Sequence, residues 1–371
     1  MFRALAITVV LACPAAFALE PANDGERLMA EFGLRESAKP VSQHAGWRVP
    51  KRIVIDGGVP GLLEALRTAA PGVEFVSALS PSEIAAAARG ADAAIGRPAF
   101  VCNAGLLAAG TKLRWLQSVY AGVEACTEAT KSIAGRNILL TNLRAVAAPV
   151  IAEHAIAMML SLTRGMYSWI PRQVHKEWVD NAQGIPMVTV AGKTLLVAGL
   201  GGIGSEVAKR GHGLGMRVIA TRASRQERPV YVEYVGTAAE LSELVGRADV
   251  IINALPLTHE TQAIFDAAMF ARMKRSAYFI NVGRGQTVVT AALTEALLKK
   301  VIAGAGIDVV DPEPLPKDHP LWEIPNIVVT PHIAATSEQN EQAQVRVLRE
   351  NLRRYIAGEK LLSVVDITRG Y

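Results

Sequence analysis

A strand that runs directly into a glycine-rich turn and then into a helix limits the fold of this chain more than any other feature. The apolar run Thr194 to Ala198 predicts a buried strand, and Ile203 to His212 has helical spacing. Between them, Gly199 permits a tight turn, Gly201 lets the backbone approach a pyrophosphate, and Gly204 allows the helix to pack closely on the strand. The unpaired N–H groups at the helix start would face the phosphates. This stretch predicts a dinucleotide-binding turn; the alternative is a purely structural glycine loop.

Strands and helices alternate on both sides of this turn. Such alternation predicts parallel sheets covered by helices on both faces, so the fold class is α/β. With 371 residues, the chain can form two Rossmann-like or flavodoxin-like parallel-sheet domains with a ligand cleft between them. We predict a substrate domain from residues 51–148 plus 335–371 and a dinucleotide-binding domain from residues 149–334. The final helix, about Ser337 to Ala357, is expected to return to the first domain.

The second strand of the predicted dinucleotide domain ends in a basic segment. About 20 residues after the glycines, an NAD site usually places an acidic residue on the ribose 2′-hydroxyl. Here the chain has Thr221, Arg222, Ser224 and Arg225 instead. Arginines can hold a 2′-phosphate through charge-assisted hydrogen bonds. The sequence therefore favours NADP, with NAD possible; the alternative is a solvated basic loop.

Three polar segments follow apolar strands of the second series. They carry Arg284 after Tyr278 to Ile280, Glu313 after Ile307, and His332 after Ile327 to Val329. Taken singly, these residues could be a surface ion pair, a solvated acid and a cap. Together they supply an anion clamp, an acid that can hold and charge an imidazole, and a proton donor.

The longer motifs around these residues resemble the D-isomer-specific 2-hydroxyacid dehydrogenases, from about Lys51 to the C-terminus. The motifs lie at Gly199 to Gly204, Asn253 to Thr258, Asn281 to Gly285, Asp311 to Trp322, and Thr330 to His332. The resemblance implies that Arg284, Glu313 and His332 are the catalytic residues and that Asp308 lies near the nicotinamide amide. It also implies cofactor contacts at Gly202, Ile203, Leu255 and Pro256.

Residues 117–124, which we term the substrate loop, are similar to the family's carboxylate-binding segment. The resemblance implies that Tyr120 contacts the substrate and that the N–H groups of Ala121 and Gly122 hold its carboxylate. The loop ends in Glu124 where many members have Asp. Its aromatic-Ala-Gly form is similar to the glyoxylate and hydroxypyruvate reductase branch, which tends to use NADPH.

These features predict an oxidoreductase that reduces a small 2-oxo acid to the D-2-hydroxy acid, with His332 as proton donor. One alternative is a non-catalytic dinucleotide sensor on the same fold, which would be expected to lack one of the three catalytic residues. Formate dehydrogenases resemble the chain but pair the histidine with Gln, and Glu313 argues against that chemistry. A phosphoglycerate dehydrogenase with an added regulatory domain is not expected, because the chain stops soon after the helix containing Leu352. Family resemblance suggests a homodimer, with Ile151 to Leu162 as a candidate contact; alternatively, those residues fill the core.

Composition excludes several other partners. The formal charge is +5, and no dense Lys/Arg run with interleaved aromatic residues is present, so nucleic acid is not an expected partner. The cysteines Cys13, Cys102 and Cys126 lack metal-ligand spacing, and no metal site is predicted. The cysteines are interpreted as packing residues; the alternative, if the protein is exported, is a disulfide between Cys102 and Cys126.

The N-terminus has the order of a signal peptide. Arg3 precedes an apolar run over residues 4–12, and Ala16-Phe17-Ala18 provides an A-x-A cleavage site. We therefore predict a signal peptide over residues 1–18, a mobile arm over residues 19–50, and a periplasmic or secreted protein with no membrane attachment after cleavage. The alternatives are an N-terminal helix packed on the body of the protein, or a cytoplasmic protein whose start is mis-assigned, with initiation at Met29.

Overall fold

Two parallel sheets form the framework of the protein. The computed structural model describes residues 24–179, 185, 187–223 and 228–367. Within these residues, the first sheet contains β1 (Arg52–Asp56), β2 (Glu74–Ala78), β3 (Ala93–Gly96), β4 (Trp115–Ser118) and β5 (Leu139–Thr141). The second contains β6 (Thr194–Ala198), β7 (Arg217–Thr221), β8 (Tyr234–Gly236), β9 (Val250–Asn253), β10 (Tyr278–Asn281), β11 (Gly304–Ile307) and β12 (Ile327–Val329).

Helices connect successive strands and cover both sheets. The helices around the first sheet are α1 (Asp24–Phe32), α2 (Leu62–Arg67), α3 (Pro81–Ala88), α4 (Pro98–Val101), α5 (Ala104–Ala109), α6 (Thr130–Gly135) and α13 (Glu338–Ala357). Those around the second are α7 (Ala148–Thr163), α8 (Met166–Val174), α9 (Gly202–Gly213), α10 (Leu241–Arg247), α11 (Ala267–Arg272) and α12 (Thr290–Leu298). Short 3₁₀ turns lie at Val41–Gln43, Glu124–Cys126, Ala238–Glu240, Gly285–Thr287 and Pro320–Glu323. The α/β prediction is confirmed.

Because the strands of each sheet are parallel, their carboxyl ends meet at one edge of that sheet. The first sheet has the order β2-β1-β3-β4-β5, and the second has the order β12-β11-β10-β9-β6-β7-β8, with parallel pairing throughout. In the second sheet β6 lies between β7 and β9, where the strand order reverses. Open α/β sheets bind ligands at such a switch point. The glycine turn follows β6 directly, so it lies there.

Two long helices pack on different sheets. The buried face of α7, including Ala155 and Met159, joins the core of the second sheet with Val197 and Ile280. The final helix α13 joins the core of the first sheet, where Tyr355 stacks on Trp115 with ring centroids 4.6 Å apart. The chain therefore returns to its first sheet after completing the second, as the sequence predicted.

The N-terminal segment is ordered from residue 24, so the prediction of a mobile arm is wrong for residues 24–50. Leu28, Leu34 and Val41 are buried in the core that α13 also lines. The backbone N–H of Ser37 donates to Leu361 O at 2.7 Å. Local composition missed this order because the partners of the segment lie more than 300 residues away along the chain. The predicted signal peptide lies outside the described residues.

None of the helices in the described ranges combines the length and apolar character that a membrane crossing needs.

A largely buried ion-pair network centred on Arg354 connects the N-terminal segment to α13. Arg354 donates to Glu350 and to Glu36, both at 2.6 Å, and the side chains of Arg354 and Glu350 are only 7% and 8% exposed. Burial opposes ionisation of Glu350, but hydrogen bonds from Arg353 and Arg354 outweigh it and lower its pKa. The stabilisation from Glu350 is therefore present at neutral pH and is lost as the pH falls below the ordinary glutamate value of 4.5.

Arg354→Ala should lower the free energy of unfolding by about 3–5 kcal/mol, because it leaves the Glu350 carboxylate buried without this partner. Arg353→Ala is the matched control: its half-exposed side chain also bonds Glu350, and its loss should cost within about 1 kcal/mol. Urea unfolding at pH 7 measures both. Equal losses would show that burial of the Arg354 pair does not set its contribution.

Candidate active site

The three glycines of the turn meet the three steric demands predicted from their spacing. Gly199 has φ +95°, a left-handed value that favours glycine. A Cβ on Gly204 would lie 2.1 Å from Gly199 O, so the helix start packs directly against the turn. A Cβ on Gly201 would meet no atom within 4 Å. The backbone at Gly201 is therefore open on its outer side, where a pyrophosphate would approach the start of α9, and the turn fits a dinucleotide.

Neighbouring residues frame this turn. Leu255 approaches Gly199, and its N–H donates to Asn253 Oδ1 at 3.1 Å. Pro256 O accepts from the Thr261 hydroxyl, Gly202 faces Ala145, and Ile203 packs against the core of the second sheet. Gly202 and Ile203 therefore lie within the turn motif, and Leu255 lies against it.

The predicted 2′-phosphate residues differ in their placement. The Thr221 side chain is buried and accepts from Gly199 N at 3.2 Å, so it supports the glycine turn and does not face a ligand. Arg222 is partly exposed, and its Nε donates to Leu200 O at 2.9 Å. Its guanidinium thus lies beside the turn. Arg225 lies outside the described residues.

Arg284 is positioned by a close backbone contact and by an acidic partner. A Cβ on the next residue, Gly285, would lie 2.0 Å from Val310 O, so only glycine lets the two segments meet. The Arg284 Nε donates to Glu124 Oε1 at 2.7 Å, and its Nη1 donates to Gly283 O at 2.8 Å. This contact joins the substrate loop of the first domain to the strand edge of the second.

Glu313 and His332 form the pair that their sequence context predicted. His332 Nδ1 lies 3.0 Å from Glu313 Oε2, and Glu313 Oε1 accepts from Val310 N at 3.0 Å. The carboxylate is therefore fixed at both oxygens. About half of the His332 side chain is exposed, so the imidazole is open to a ligand on its other side.

Asp308 holds the turn that carries His332. This buried carboxylate accepts from the Thr330 hydroxyl at 2.6 Å and from the N–H groups of Ile333 and Ala334 at 2.9 and 3.0 Å. His332 N donates to Asp308 O at 2.8 Å, and His332 has a left-handed φ of +55°. Asp308 therefore positions the histidine through its backbone.

A second histidine contacts the segment that carries His332. His154, on α7, has Nε2 2.9 Å from Thr330 Oγ1. Because the single hydroxyl proton of Thr330 is donated to Asp308, His154 must donate through Nε2. The order of contacts is thus His154 to Thr330 to Asp308.

The substrate loop is fixed at its first half by hydrogen bonds. Tyr120 O accepts from Leu143 N at 3.2 Å, and Ala121 O accepts from Asn142 Nδ2 at 2.6 Å. Tyr120 and Ala121 are exposed, and Gly122 is partly exposed. A Cβ on Gly122 would lie 2.3 Å from Arg284 Nη2, so the loop backbone and the guanidinium meet at one point.

The sequence did not identify several residues of this site. Glu124 was noted for its position but not as the partner of Arg284, and neither Asn142 nor the pair His154 and Thr330 was singled out. The charge of Glu124, in a loop expected to bind the substrate, was a signal that could have identified this residue. The others depend on contacts over more than 20 residues, which spacing does not show.

The cysteine question is resolved, since Cys102 and Cys126 form a disulfide. The described part of the chain contains no group of three or more His, Cys, Asp or Glu residues placed to bind a metal ion.

Two glycine variants separate the folding role of the turn from its binding role. Gly201→Ala should leave thermal stability unchanged but weaken NADPH binding at least tenfold, about 1.4 kcal/mol, because the added methyl enters the space of the pyrophosphate. Gly204→Ala should lower the melting temperature, because its Cβ meets Gly199 O. Calorimetry and fluorescence titration measure the two effects; unchanged NADPH affinity in Gly201→Ala would contradict the assignment.

Comparison with known proteins agrees with this geometry. The sequence model of "D-isomer specific 2-hydroxyacid dehydrogenase, NAD binding domain" matches residues 156–334. The glyoxylate/hydroxypyruvate reductase B of Citrobacter koseri is 34% identical over 252 residues, 67% of this chain and 77% of the relative. The glycerate dehydrogenase of Methylorubrum extorquens is 31% identical over 293 residues, 77% of this chain and 89% of the relative.

A solved structure supports the same assignment. A probable 2-hydroxyacid dehydrogenase from Rhizobium etli, determined in complex with NADP, HEPES and L(+)-tartaric acid, is 27% identical, with a TM-score of 0.72 over 86% of this chain and 99% of the other. The chain therefore belongs to the D-isomer-specific 2-hydroxyacid dehydrogenases and is an NAD(P)-dependent enzyme of that family.

Proposed function

We propose that this protein reduces a small 2-oxo acid, of the size of glyoxylate or hydroxypyruvate, to the D-2-hydroxy acid. The observation that carries the proposal is the His332 and Glu313 pair, 3.0 Å apart, beside the strand edge that presents Arg284. The names of the Citrobacter and Methylorubrum relatives support the same substrate class. A panel of glyoxylate, hydroxypyruvate, pyruvate and bulkier 2-oxo acids, each with NADPH and NADH, tests it; no turnover with any of them would refute it.

Arg284 is proposed to bind the substrate carboxylate. Its Nε and Nη1 already donate within the protein, whereas Nη2 lies beside Gly122, where no Cβ covers it. A carboxylate held between Nη2 and the N–H groups of Ala121 and Gly122 would receive charge-assisted hydrogen bonds. The same cation stabilises negative charge that develops on the neighbouring carbonyl oxygen.

His332 is proposed to donate the proton. Its Nδ1 faces Glu313, so Nε2 is the nitrogen left to protonate the alkoxide. Glu313 holds the orientation of the ring through its contact with Nδ1. When bound, the reduced nicotinamide supplies the hydride. Because reduction of the 2-oxo acid takes up one proton, a lower pH should favour reduction over oxidation.

His332→Ala should lower kcat by a factor of about 10² to 10⁴ while NADPH binding persists, since a general acid acts on the reacting oxygen and not on the nucleotide. His212→Ala, which removes an exposed histidine on α9, is the matched control and should keep full turnover. Steady-state kinetics and NADPH titration measure both. Near wild-type turnover in His332→Ala would contradict the role of His332.

NADP is proposed as the preferred cofactor. At the end of β7, where an NAD site usually places an acid for the ribose 2′-hydroxyl, the chain has Thr221 and Arg222. Arg222 lies beside the turn, and the Rhizobium etli relative was solved with NADP. Since Thr221 is buried against Gly199, we assign the 2′-phosphate to Arg222 and Arg225 and not to Thr221.

Changing Arg222 and Arg225 together to Gln should raise the KM for NADPH at least tenfold, about 1.4 kcal/mol, and leave the KM for NADH nearly unchanged, because only NADPH carries the 2′-phosphate. Arg217→Gln is the control: it lies at the opposite end of β7, where its side chain donates to Thr194. Parallel kinetics with the two cofactors give the comparison. Equal changes for both cofactors would show that the arginines do not read the phosphate.

A homodimer is also proposed, with α8 as its contact in place of α7. The apolar face of α7 is largely buried within the chain, whereas Met166, Ile170 and Val174 form an exposed stripe with four-residue spacing on α8. Light scattering at micromolar concentration should give the dimer mass, and Ile170→Glu should give the monomer. A monomeric wild-type protein would contradict the proposal.

Export to the periplasm or the medium is proposed as well. The disulfide supports it, because such bonds persist in oxidising compartments, and the third cysteine, Cys13, lies in the predicted signal peptide. Cell fractionation with N-terminal sequencing decides the matter: a chain that begins near Leu19 in the periplasm supports export, and an intact cytosolic start at Met1 or Met29 refutes it.

A further inference from the structure

The disulfide lies two residues beyond the substrate loop in the chain, at Cys126. Cys126 is the last residue of the 3₁₀ turn Glu124–Cys126, which begins with the partner of Arg284. Cys102 is the C-terminal cap of α4, the helix that follows β3. The bond therefore connects the end of the loop to the element that leaves the neighbouring strand.

The two halves of the loop are held in different ways. Around Tyr120 and Ala121, the backbone carbonyls accept hydrogen bonds from Leu143 and Asn142 after β5. From Gly122 onward, the loop is held by the burial of Val123, by the contact of Glu124 with Arg284, and by the disulfide at Cys126. Since the Glu124 contact is partly exposed, it contributes little holding energy. The disulfide is thus the covalent tether of the half that presents Gly122 and Glu124.

Displacement of Cys126 would be transmitted to Arg284. Cys126 N donates to Val123 O at 2.8 Å, which closes the 3₁₀ turn and couples Cys126 to Glu124. Glu124 fixes the Arg284 Nε, and Gly122 lies against the Arg284 Nη2. A shift of the turn would therefore change both the guanidinium orientation and the amide positions that are proposed to bind the carboxylate.

We propose that the Cys102 and Cys126 disulfide is a positioning element of the carboxylate site, so that its formation raises the affinity of the enzyme for its 2-oxo acid. The inference rests on the proposed function for the identity of the ligand. The reduced chain folds and binds NADPH but holds the substrate loop loosely. In an exported protein, the enzyme would bind its substrate weakly before the disulfide forms and strongly afterwards.

The reduction of the disulfide by a dithiol balances in electrons, protons and bonds. A dithiol such as dithiothreitol delivers two electrons and two protons, the sulfur–sulfur bond breaks, Cys102 and Cys126 become thiols, and the dithiol closes to its own cyclic disulfide. Both cysteines are buried, so the reduced protein is best obtained by folding it in the presence of the dithiol. Alkylation with iodoacetamide under denaturing conditions, followed by mass measurement, counts the thiols.

The test compares three proteins: the oxidised wild type, the double variant Cys102→Ala with Cys126→Ala, and the control Leu107→Ala. Leu107 is buried on α5 in the same core cluster as both cysteines but is not itself a residue of the loop. For each protein we measure the KM for the best 2-oxo acid, kcat, NADPH affinity, and binding of oxamate to the NADPH complex. Oxamate carries the carboxylate but is not reduced, so its binding reports on the site even if no 2-oxo acid turns over.

The double variant should raise the KM and the oxamate dissociation constant about tenfold or more, since small displacements in a binding site have large effects, and should leave NADPH affinity unchanged. Leu107→Ala should lower thermal stability and leave both constants unchanged. Substrate and oxamate constants within twofold of the wild type would overturn the proposal. A parallel loss of NADPH affinity would also overturn it, because the disulfide would then stabilise the whole fold.

The reduced wild type provides the second arm if the double variant does not fold. It should show the same rise in the oxamate constant, and reoxidation should reverse it. A reduced wild type that also fails to bind NADPH, or that binds oxamate as tightly as the oxidised protein, contradicts the proposal. If oxamate binding responds as expected but no 2-oxo acid is reduced, the assignment of the disulfide stands and the proposed function fails.

Discussion

The buried carboxylate of Asp308 is the constraint on which the geometry of the site depends. It accepts three hydrogen bonds from the segment that follows β12, and its own carbonyl accepts from His332 N. These bonds hold His332 in a left-handed conformation that costs a non-glycine residue about 1–3 kcal/mol. Hydrogen bonds to an ionised group are strong enough to offset that cost. The backbone therefore sets the position of the imidazole, and the contact with Glu313 sets the orientation of the ring.

Much of the fold could be predicted from the sequence because it depends on local patterns. Alternation of apolar strands and helices indicated two parallel sheets, and the glycine spacing indicated the turn after β6. The short elements α4, α6 and β8 have only three to six residues each, which is too few for a periodicity that a sequence can show. The ordered N-terminal segment was missed for another reason: Leu28 and Val41 acquire their partners only when α13 returns from the far end of the chain.

The residues of the site divide in the same way: some can be identified from the local sequence, and others depend on contacts between distant segments. Arg284, Glu313 and His332 were identifiable because each ends a strand and lies in a motif. Thr221 was misread because the sequence shows a hydroxyl at the right position but not the direction of its side chain, which faces Gly199. The contact of Glu124 with Arg284 spans 160 residues and joins the two domains, so no spacing within either domain could reveal it.

This interdomain contact orients Arg284 but contributes little to stability. The side chains of Arg284 and Glu124 are 27% and 40% exposed, and a pair with such exposure contributes at most about 1 kcal/mol. It can therefore orient the guanidinium without holding the two domains strongly together. The loop end is tethered to the first domain by the disulfide, whereas the guanidinium belongs to the second domain. The two groups that are proposed to bind the carboxylate, Gly122 and Arg284, therefore belong to different domains, and the site is complete only where these domains meet.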